Sequence, residues 1–222
     1  MQLLAPSAAL VLGVCCALTP GCSSDTAGTG SNSNAAGAAP VVVSSEPVAP
    51  DAAEQQLAGG SCGIVASAAT GLTQTHLTVC SAVDYLDNPP IGGDHYPVWA
   101  AFQSYSFAVP RGFWVHDLEH GAVVFSYNCP DGCSDEVATV QALIDALPED
   151  PLCAGTGTPR RVVLTPDPLL DVRWGLSAWG HTLRAECVDA DRFRDFYLNH
   201  FGLGPEALCN AGSDFGGAAP CR

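Results

Sequence analysis

The sequence predicts an α+β domain: a mixed sheet with helices packed on it, stapled by disulfides, with a thioredoxin-like α/β arrangement as the variant left open. Three observations carry this expectation. After residue 60 the apolar periods run in the order strand, helix, strand, strand, helix, which is the signature of helices laid on a mixed sheet. Ala122 to Tyr127, Ala-Val-Val-Phe-Ser-Tyr, reads as the best buried strand of the chain. Eight cysteines follow residue 60, an even number that suits a disulfide framework outside the reducing cytoplasm.

The chain opens with an apolar run, Leu3 to Leu18, then Thr19-Pro20-Gly21-Cys22 and a polar stretch from Ser23. Residues 1–22 read as an export signal. A small residue before a cysteine that starts a Ser-rich tail resembles the bacterial lipobox, so Cys22 is the expected lipidation site. Two features depart from that pattern: the first turns carry no Lys or Arg, and Thr19 and Pro20 stand where aliphatic and small residues are usual. An ordinary secretory signal is the alternative. The expected location is the cell envelope, lipid-anchored and facing the periplasm or the surface, or otherwise secreted. No later stretch approaches the roughly 20 apolar residues that span a bilayer. Residues 23–60 are rich in Ala, Gly, Ser and Pro, lack aromatic residues and carry no sustained period, so they read as a disordered tether. That leaves 61–222 as one disulfide-rich domain.

Within it, Thr73 to Val79 alternates Leu77 and Val79 against Gln74, His76 and Thr78, the period of a half-buried strand with His76 on the polar face. Asp87 to Pro97, with Asn88-Pro89-Pro90 and Gly92-Gly93, is a loop by composition. The strand Ala122 to Tyr127 ends at a turn, Asn128 to Cys133. Ser134 is placed to cap a helix with Val137, Val140, Leu143, Ile144 and Leu147 at helical spacing, stopped by Pro148. Arg161 to Thr165 reads as a second strand and Val172 to Arg184 as a third, interrupted near Gly175 and Gly180. Asp189 caps a last helix carrying Phe193, Phe196, Tyr197 and Phe201, stopped by Gly202.

With 8 basic against 23 acidic residues and a net charge of -15, the chain lacks the basic footprint that nucleic acid needs. Once Cys15, Cys16 and Cys22 are set aside, Cys62, Cys80, Cys129, Cys133, Cys153, Cys187, Cys209 and Cys221 can form four bridges. Proximity favours Cys129 with Cys133 and Cys209 with Cys221. The Cys129/Cys133 pair, at the end of a strand and before a helix, also has the arrangement of thioredoxin-like copper chaperones, although a structural bridge is the default in an oxidising compartment.

The segment richest in chemistry is Val115-His116-Asp117-Leu118-Glu119-His120-Gly121. Histidines four apart share one face of a helical turn and can chelate one ion, while an adjacent carboxylate ligates it or polarises water. Imidazole ligands favour a transition metal, copper or zinc, over calcium or magnesium. The letters His-x-x-Glu-His also spell the inverzincin protease motif, but Pro110 and Gly112 before it and a β run after it are the wrong context. His95 in the Gly-rich loop and His76 are the expected further ligands. The alternative leaves His116 and His120 bonded to backbone, Asp117 or Glu119 beside a tight turn. His181 and His200 lack ligand-spaced neighbours and read as structural, and Trp99, Trp114, Trp174 and Trp179 read as core or rim packing.

These residues resemble the bacterial family of domain of unknown function 3105, over roughly His76 to Glu206. The family's Tyr followed by Asn-Pro-Pro-Thr-Ser-Gly-Pro-His is similar to Tyr85 and Asn88-Pro89-Pro90-Ile91-Gly92-Gly93-Asp94-His95, and its next Trp and Tyr to Trp99 and Tyr105. Its Val-His-x-Leu-Glu-His-Gly turn is similar to Val115 to Gly121, and its Ala-Trp-Gly to Ala178-Trp179-Gly180. The loop departs at Ile91, Gly92 and Asp94 and keeps His95. The resemblance implies secreted or membrane-anchored proteins and brings no established activity.

Three functions are then open. In the first, His76, His95, His116 and His120, with Glu119 beside them, hold a transition metal in a membrane-anchored module. The second is a metal-dependent hydrolase with Glu119 as base on a metal-bound water. The third is a metal-free envelope interaction module, which predicts histidines too far apart to converge.

Overall fold

The computed structural model describes residues 39–221, so the signal segment, Cys22 and residues 23–38 lie outside the described residues. In chain order the elements are β1 (Val41–Val43), β2 (Glu46–Val48), α1 (Ala52–Leu57), β3 (Val65–Thr70), β4 (Val83–Tyr85), α2 (Arg111–Glu119), β5 (Val123–Tyr127), α3 (Ser134–Ala146), β6 (Val162–Pro166), β7 (Trp174–Ala178), β8 (His181–Ala185) and α4 (Ala190–His200). The main sheet has the order β2-β3-β8-β7-β5-β6. Only β5 and β6 run parallel, with Phe125 opposite Leu164; the other neighbours are antiparallel. This is a mixed α+β fold, and the run β5-α3-β6 followed by the β7/β8 hairpin and α4 is compatible with the thioredoxin-like variant. A separate parallel pair, β1 with β4, sets Val43 beside Tyr85.

The sheet is covered on both faces. Val123 and Phe125 point one way, into a core with Val140 and Ile144 of α3 and Phe193, Phe196 and Tyr197 of α4. Val124 and Val163 point the other way, toward Phe113, Trp114 and Leu118 of α2. The alternation of β5 therefore feeds two cores, and Val123 to Phe125 are all apolar for that reason. Trp114 and Trp174 are core residues, as expected, whereas Trp99 and Trp179 are only partly buried.

Several expectations need correction. Residues 39–60, read as tether, carry β1, β2 and α1. Asp51 and Glu54 close a reciprocal capping box at the start of α1, Leu57 enters the core, and β2 adds to the sheet along β3. Within residues 39–60, Leu57 and the β2/β3 pairing supply the buried surface and hydrogen bonds that their composition did not announce. Thr73 to Val79 forms no strand: one parallel bridge, His76 to His95, is its only ladder contact, so it is a loop segment laid against the Gly92-Gly93 loop. Val172 to Arg184 is a hairpin rather than one strand, because Gly180 at φ 80° turns the chain between Ala178 and its partner His181. Cys133, not Ser134, is the N-cap of α3, as the Cys129–Cys133 bridge closes the turn just before it.

The bridges are Cys62–Cys187, Cys80–Cys221, Cys129–Cys133 and Cys153–Cys209. The local pair agrees with proximity. Cys209 and Cys221 do not pair, because the chain between them runs extended past Trp99 to Ala101, with Ser213 N–H donating to the Trp99 carbonyl at 2.9 Å and Ala101 N–H to the Ser213 carbonyl at 2.8 Å. Four bridges fit an oxidising, extracytoplasmic compartment. No helix among the described residues is long and apolar enough to cross a membrane.

Loop-closure entropy ranks the bridges. Cys62–Cys187 spans 125 positions and Cys129–Cys133 only 4. Replacing the first pair with Ser should lower unfolding free energy by about 5 kcal/mol and the second by about 2 kcal/mol on the chain-entropy scale. Urea unfolding of the two double variants checks the order, and equal losses would show that local strain, not loop length, sets the effect.

Candidate metal centre

Three segments build the site, and α2 is the first. Its motif is a true helix rather than a turn: Pro110 precedes it, and eight of its nine residues, Gly112 to Glu119, are buried. The helix ends in a Schellman arrangement: Gly121 N–H donates to the Leu118 carbonyl and Ala122 N–H to the Asp117 carbonyl, both at 2.9 Å. Gly121 sits at φ 81°, and a Cβ there would meet the Arg161 guanidinium and the Gly202 backbone. Arg161 donates to the His120 carbonyl and pairs with buried Asp150, setting a cation at the negative end of the helix. One turn of helix thereby presents His116, Glu119 and, at the cap, His120.

The second segment is the Gly-rich loop. Gly93 packs so closely under Val43 that a Cβ would lie 2.3 Å from it, and its carbonyl lies 2.8 Å from His95 Nδ1. Tyr85 donates its hydroxyl to the Asp94 carbonyl, and Leu77 N–H donates to the His95 carbonyl, which carries His76 alongside. The third is the loop after α4. Gly204 lies against Glu119 and Leu118 carbonyls, where a Cβ would sit 2.3 Å from the former, and Glu206 N–H donates to the Glu119 carbonyl. That contact lays the Glu206 carboxylate 3.5 Å from His120 Nε2.

His76, His95, His116 and Glu119 each offer one ligand atom, and these atoms all lie within 4.8 Å of one another. Glu119 Oε2 is 3.0 Å from His95 Nε2, 3.8 Å from His116 Nε2 and 4.0 Å from His76 Nε2. His95 is fully buried, whereas the His76 side chain is half exposed and forms the open side of the group. His120 is not in this set. It falls in an adjoining one with Glu119 and Glu206, its Nε2 3.1 Å from His116 Nε2. Trp99 covers both His116 and His120, and Trp179 stands edge-on to His95. Glu206 was not foreseen; the short Gly-Leu-Gly-Pro loop before it is its only local signal.

The hydrogen bonds assign the ring protons. His95 Nδ1 faces the Gly93 carbonyl, and His116 Nδ1 faces the Tyr96 carbonyl at 2.6 Å, so each Nδ1 carries the proton and each Nε2 turns a lone pair inward. Burial holds both imidazoles below their ordinary pKa, and it pushes His120 down to about 4, with His116 the next cause. Burial, then Glu206, raises the Glu119 carboxyl. His95 Nε2 is buried with no hydrogen-bond partner although a carboxylate oxygen is 3.0 Å away, an arrangement that a cation between them would relieve. Asp117 does not touch the rings; it accepts from Ala100 N–H at 3.3 Å. Imidazoles with a carboxylate are the donor set of zinc, copper, iron and nickel sites.

Gly112, read from sequence as hostile to a helix, has a packing purpose. A Cβ there would lie 2.6 Å from the ring of Tyr96, whose carbonyl orients His116. Gly112→Ala should destabilise the domain by about 1–3 kcal/mol through overpacking, despite its better helix propensity. Urea unfolding checks this, and an Ala variant as stable as the parent would mean that Tyr96 yields freely.

Comparison with curated proteins and with solved structures finds no match. A family model described as "Protein of unknown function (DUF3105)" matches residues 76–211, which include every side chain of both ligand sets. Since that match spans more than half of the chain, the protein belongs to the DUF3105 family, the one that its His-rich turn and Asn-Pro-Pro loop resemble.

Proposed function

We propose that this protein is an extracytoplasmic module, anchored to a membrane through a lipid on Cys22, that binds one transition-metal ion, copper or zinc, through His76, His95, His116 and Glu119. The observation that carries the reading is the convergence of four ligand atoms, two from α2 and one each from two loop segments, within 4.8 Å, with the Nδ1 of His95 and of His116 already engaged by carbonyls. Such outer bonds orient imidazoles for a metal and raise their basicity. His120 and Glu206 border the group and can supply a ligand or hold a metal-bound water.

The hydrolase reading needs Glu119 to stand behind a metal-bound water as base. At 3.0 Å from His95 Nε2, Glu119 occupies a ligand's place, which favours retention of the ion over turnover. An interaction module without metal predicts histidines too far apart to converge, and the convergence of His76, His95 and His116 counts against it.

Full-length chain without a His tag, exported, extracted in detergent and dialysed against trace copper and zinc, is the material for elemental analysis. The parent should hold one equivalent more of copper or zinc than the His95→Ala, His116→Ala variant, with the far-UV circular dichroism of the two alike. Equal metal content in folded parent and variant would falsify the assigned site.

A further inference from the structure

On the side of the sheet that α1 and α4 cover, away from α2, Glu54 of α1, His181 of β8 and His200 of α4 form a second group whose ligand atoms lie within 4.8 Å of one another. None of the three belongs to the His95 set, and Glu54 lies before the residues matched to the family model. His181 Nδ1 stands 2.5 Å from Glu54 Oε1, and the rings of His181 and His200 stack at 4.2 Å.

His200 is the unexplained member. It is 3% exposed, yet among the described residues neither of its ring nitrogens has a hydrogen-bond partner. A neutral imidazole always carries one N–H and one lone pair, and burying either unmet carries the desolvation penalty without a bond to offset it. Phe196 packs against one side of the ring and fills space without offering a partner. The Glu54 carboxylate, itself 1% exposed, has divided its oxygens: Oε2 accepts from Asp51 N–H in the capping box, and Oε1 is turned to His181. His200 also closes the last turn of α4, where the helix dipole is negative.

We infer that Glu54, His181 and His200 bind a divalent transition metal of the zinc class, clamping α1 to the β8 and α4 elements of the core. Two imidazoles and one carboxylate are a recognised three-ligand set for zinc, with water in the fourth position on the partly exposed His181 side. Lone pairs lie in the ring plane, so the stacked rings cannot both point at one ion. Loading the site turns one ring about χ2, a broad and soft torsion for histidine. The ion gives His200 the partner it lacks and ties α1 to β8 and α4.

The test uses the full-length chain in detergent, stripped with a chelator and titrated with Zn2+ against a chromophoric competitor. Glu54→Gln is the informative variant, since Gln keeps the capping-box acceptor and removes the charged ligand. It, and separately His181→Gln with His200→Phe, should bind one equivalent fewer or hold that equivalent about 10–100-fold more weakly. The His95→Ala, His116→Ala variant should retain it, so the two sites fail or stand separately. Zn2+ should also slow amide exchange of residues 51–57 in the parent and in that variant, and leave it unchanged in Glu54→Gln. Isotherms of Glu54→Gln and of the His181/His200 variant that superimpose on the parent's overturn the site, and so does Zn2+ uptake without protection of residues 51–57.

Discussion

Burying α2 on every side is the constraint from which the rest of the arrangement follows. A helix sandwiched between a sheet face and covering loops must bring its polar side chains inside with it, and this one brings His116, Asp117, Glu119 and His120. Each buried polar group costs free energy unless it is partnered. The surrounding chain supplies several of those partners: the Tyr96 carbonyl for His116, Ala100 N–H for Asp117 Oδ2, and Arg161 at the helix end. Glycines 93, 112, 121 and 204 let a side chain or backbone approach where a Cβ would collide. His95 Nε2 is left without a hydrogen-bond partner 3.0 Å from Glu119, while Trp114 Nε1, Asp117 Oδ1 and His120 Nδ1 are further unmet atoms on or beside the helix.

The same burial explains what could be read from the sequence. Elements with one dry face were legible, because a period of 3.6 or a dense apolar run survives in the letters: β5, α3, β6 and α4 appeared within a residue or two of their bounds. α2 has no wet face and therefore no period, so its letters showed metal spacing but only a turn. β3 is Val-Ala-Ser-Ala-Ala-Thr, too small in its side chains to announce a strand, and β1, β2 and β4 have three residues each. The Asp51 to Glu54 capping box was a legible local signal, overlooked within a stretch of tether-like composition.

For the site, local spacing reached His116, Glu119 and His120, while His95 and His76 depended on loop composition and resemblance. Glu206 and Glu54 stayed out of reach, because each arrives through a contact between segments far apart in sequence: Glu206 through its bond to the Glu119 backbone, Glu54 across 127 positions to His181. The disulfide pairing failed for the same reason at Cys209 and Cys221, and succeeded at Cys129 and Cys133, where four positions decide the geometry.

Charge supplies the last step. Every one of the 8 basic residues is an arginine, against 23 acids. Among the described residues, Arg111, Arg161, Arg173, Arg184, Arg192 and Arg194 are each paired with a carboxylate, and Arg160 donates to the Asp145 and Leu147 carbonyls. Among the described residues these arginines are thus occupied elsewhere, and none forms an ion pair with Glu119, Glu206 or Glu54; the ion-pair partners of those carboxylates are histidines. A buried carboxylate without a fixed cation either takes up a proton or attracts a positive ion from solution. With neutral imidazole lone pairs turned toward Glu119 and a net charge of -15 raising cation concentration around the fold, the second course has both a local ligand set and a long-range field behind it. The acidity of the chain and its inward-facing histidines are, on this account, parts of one electrostatic design.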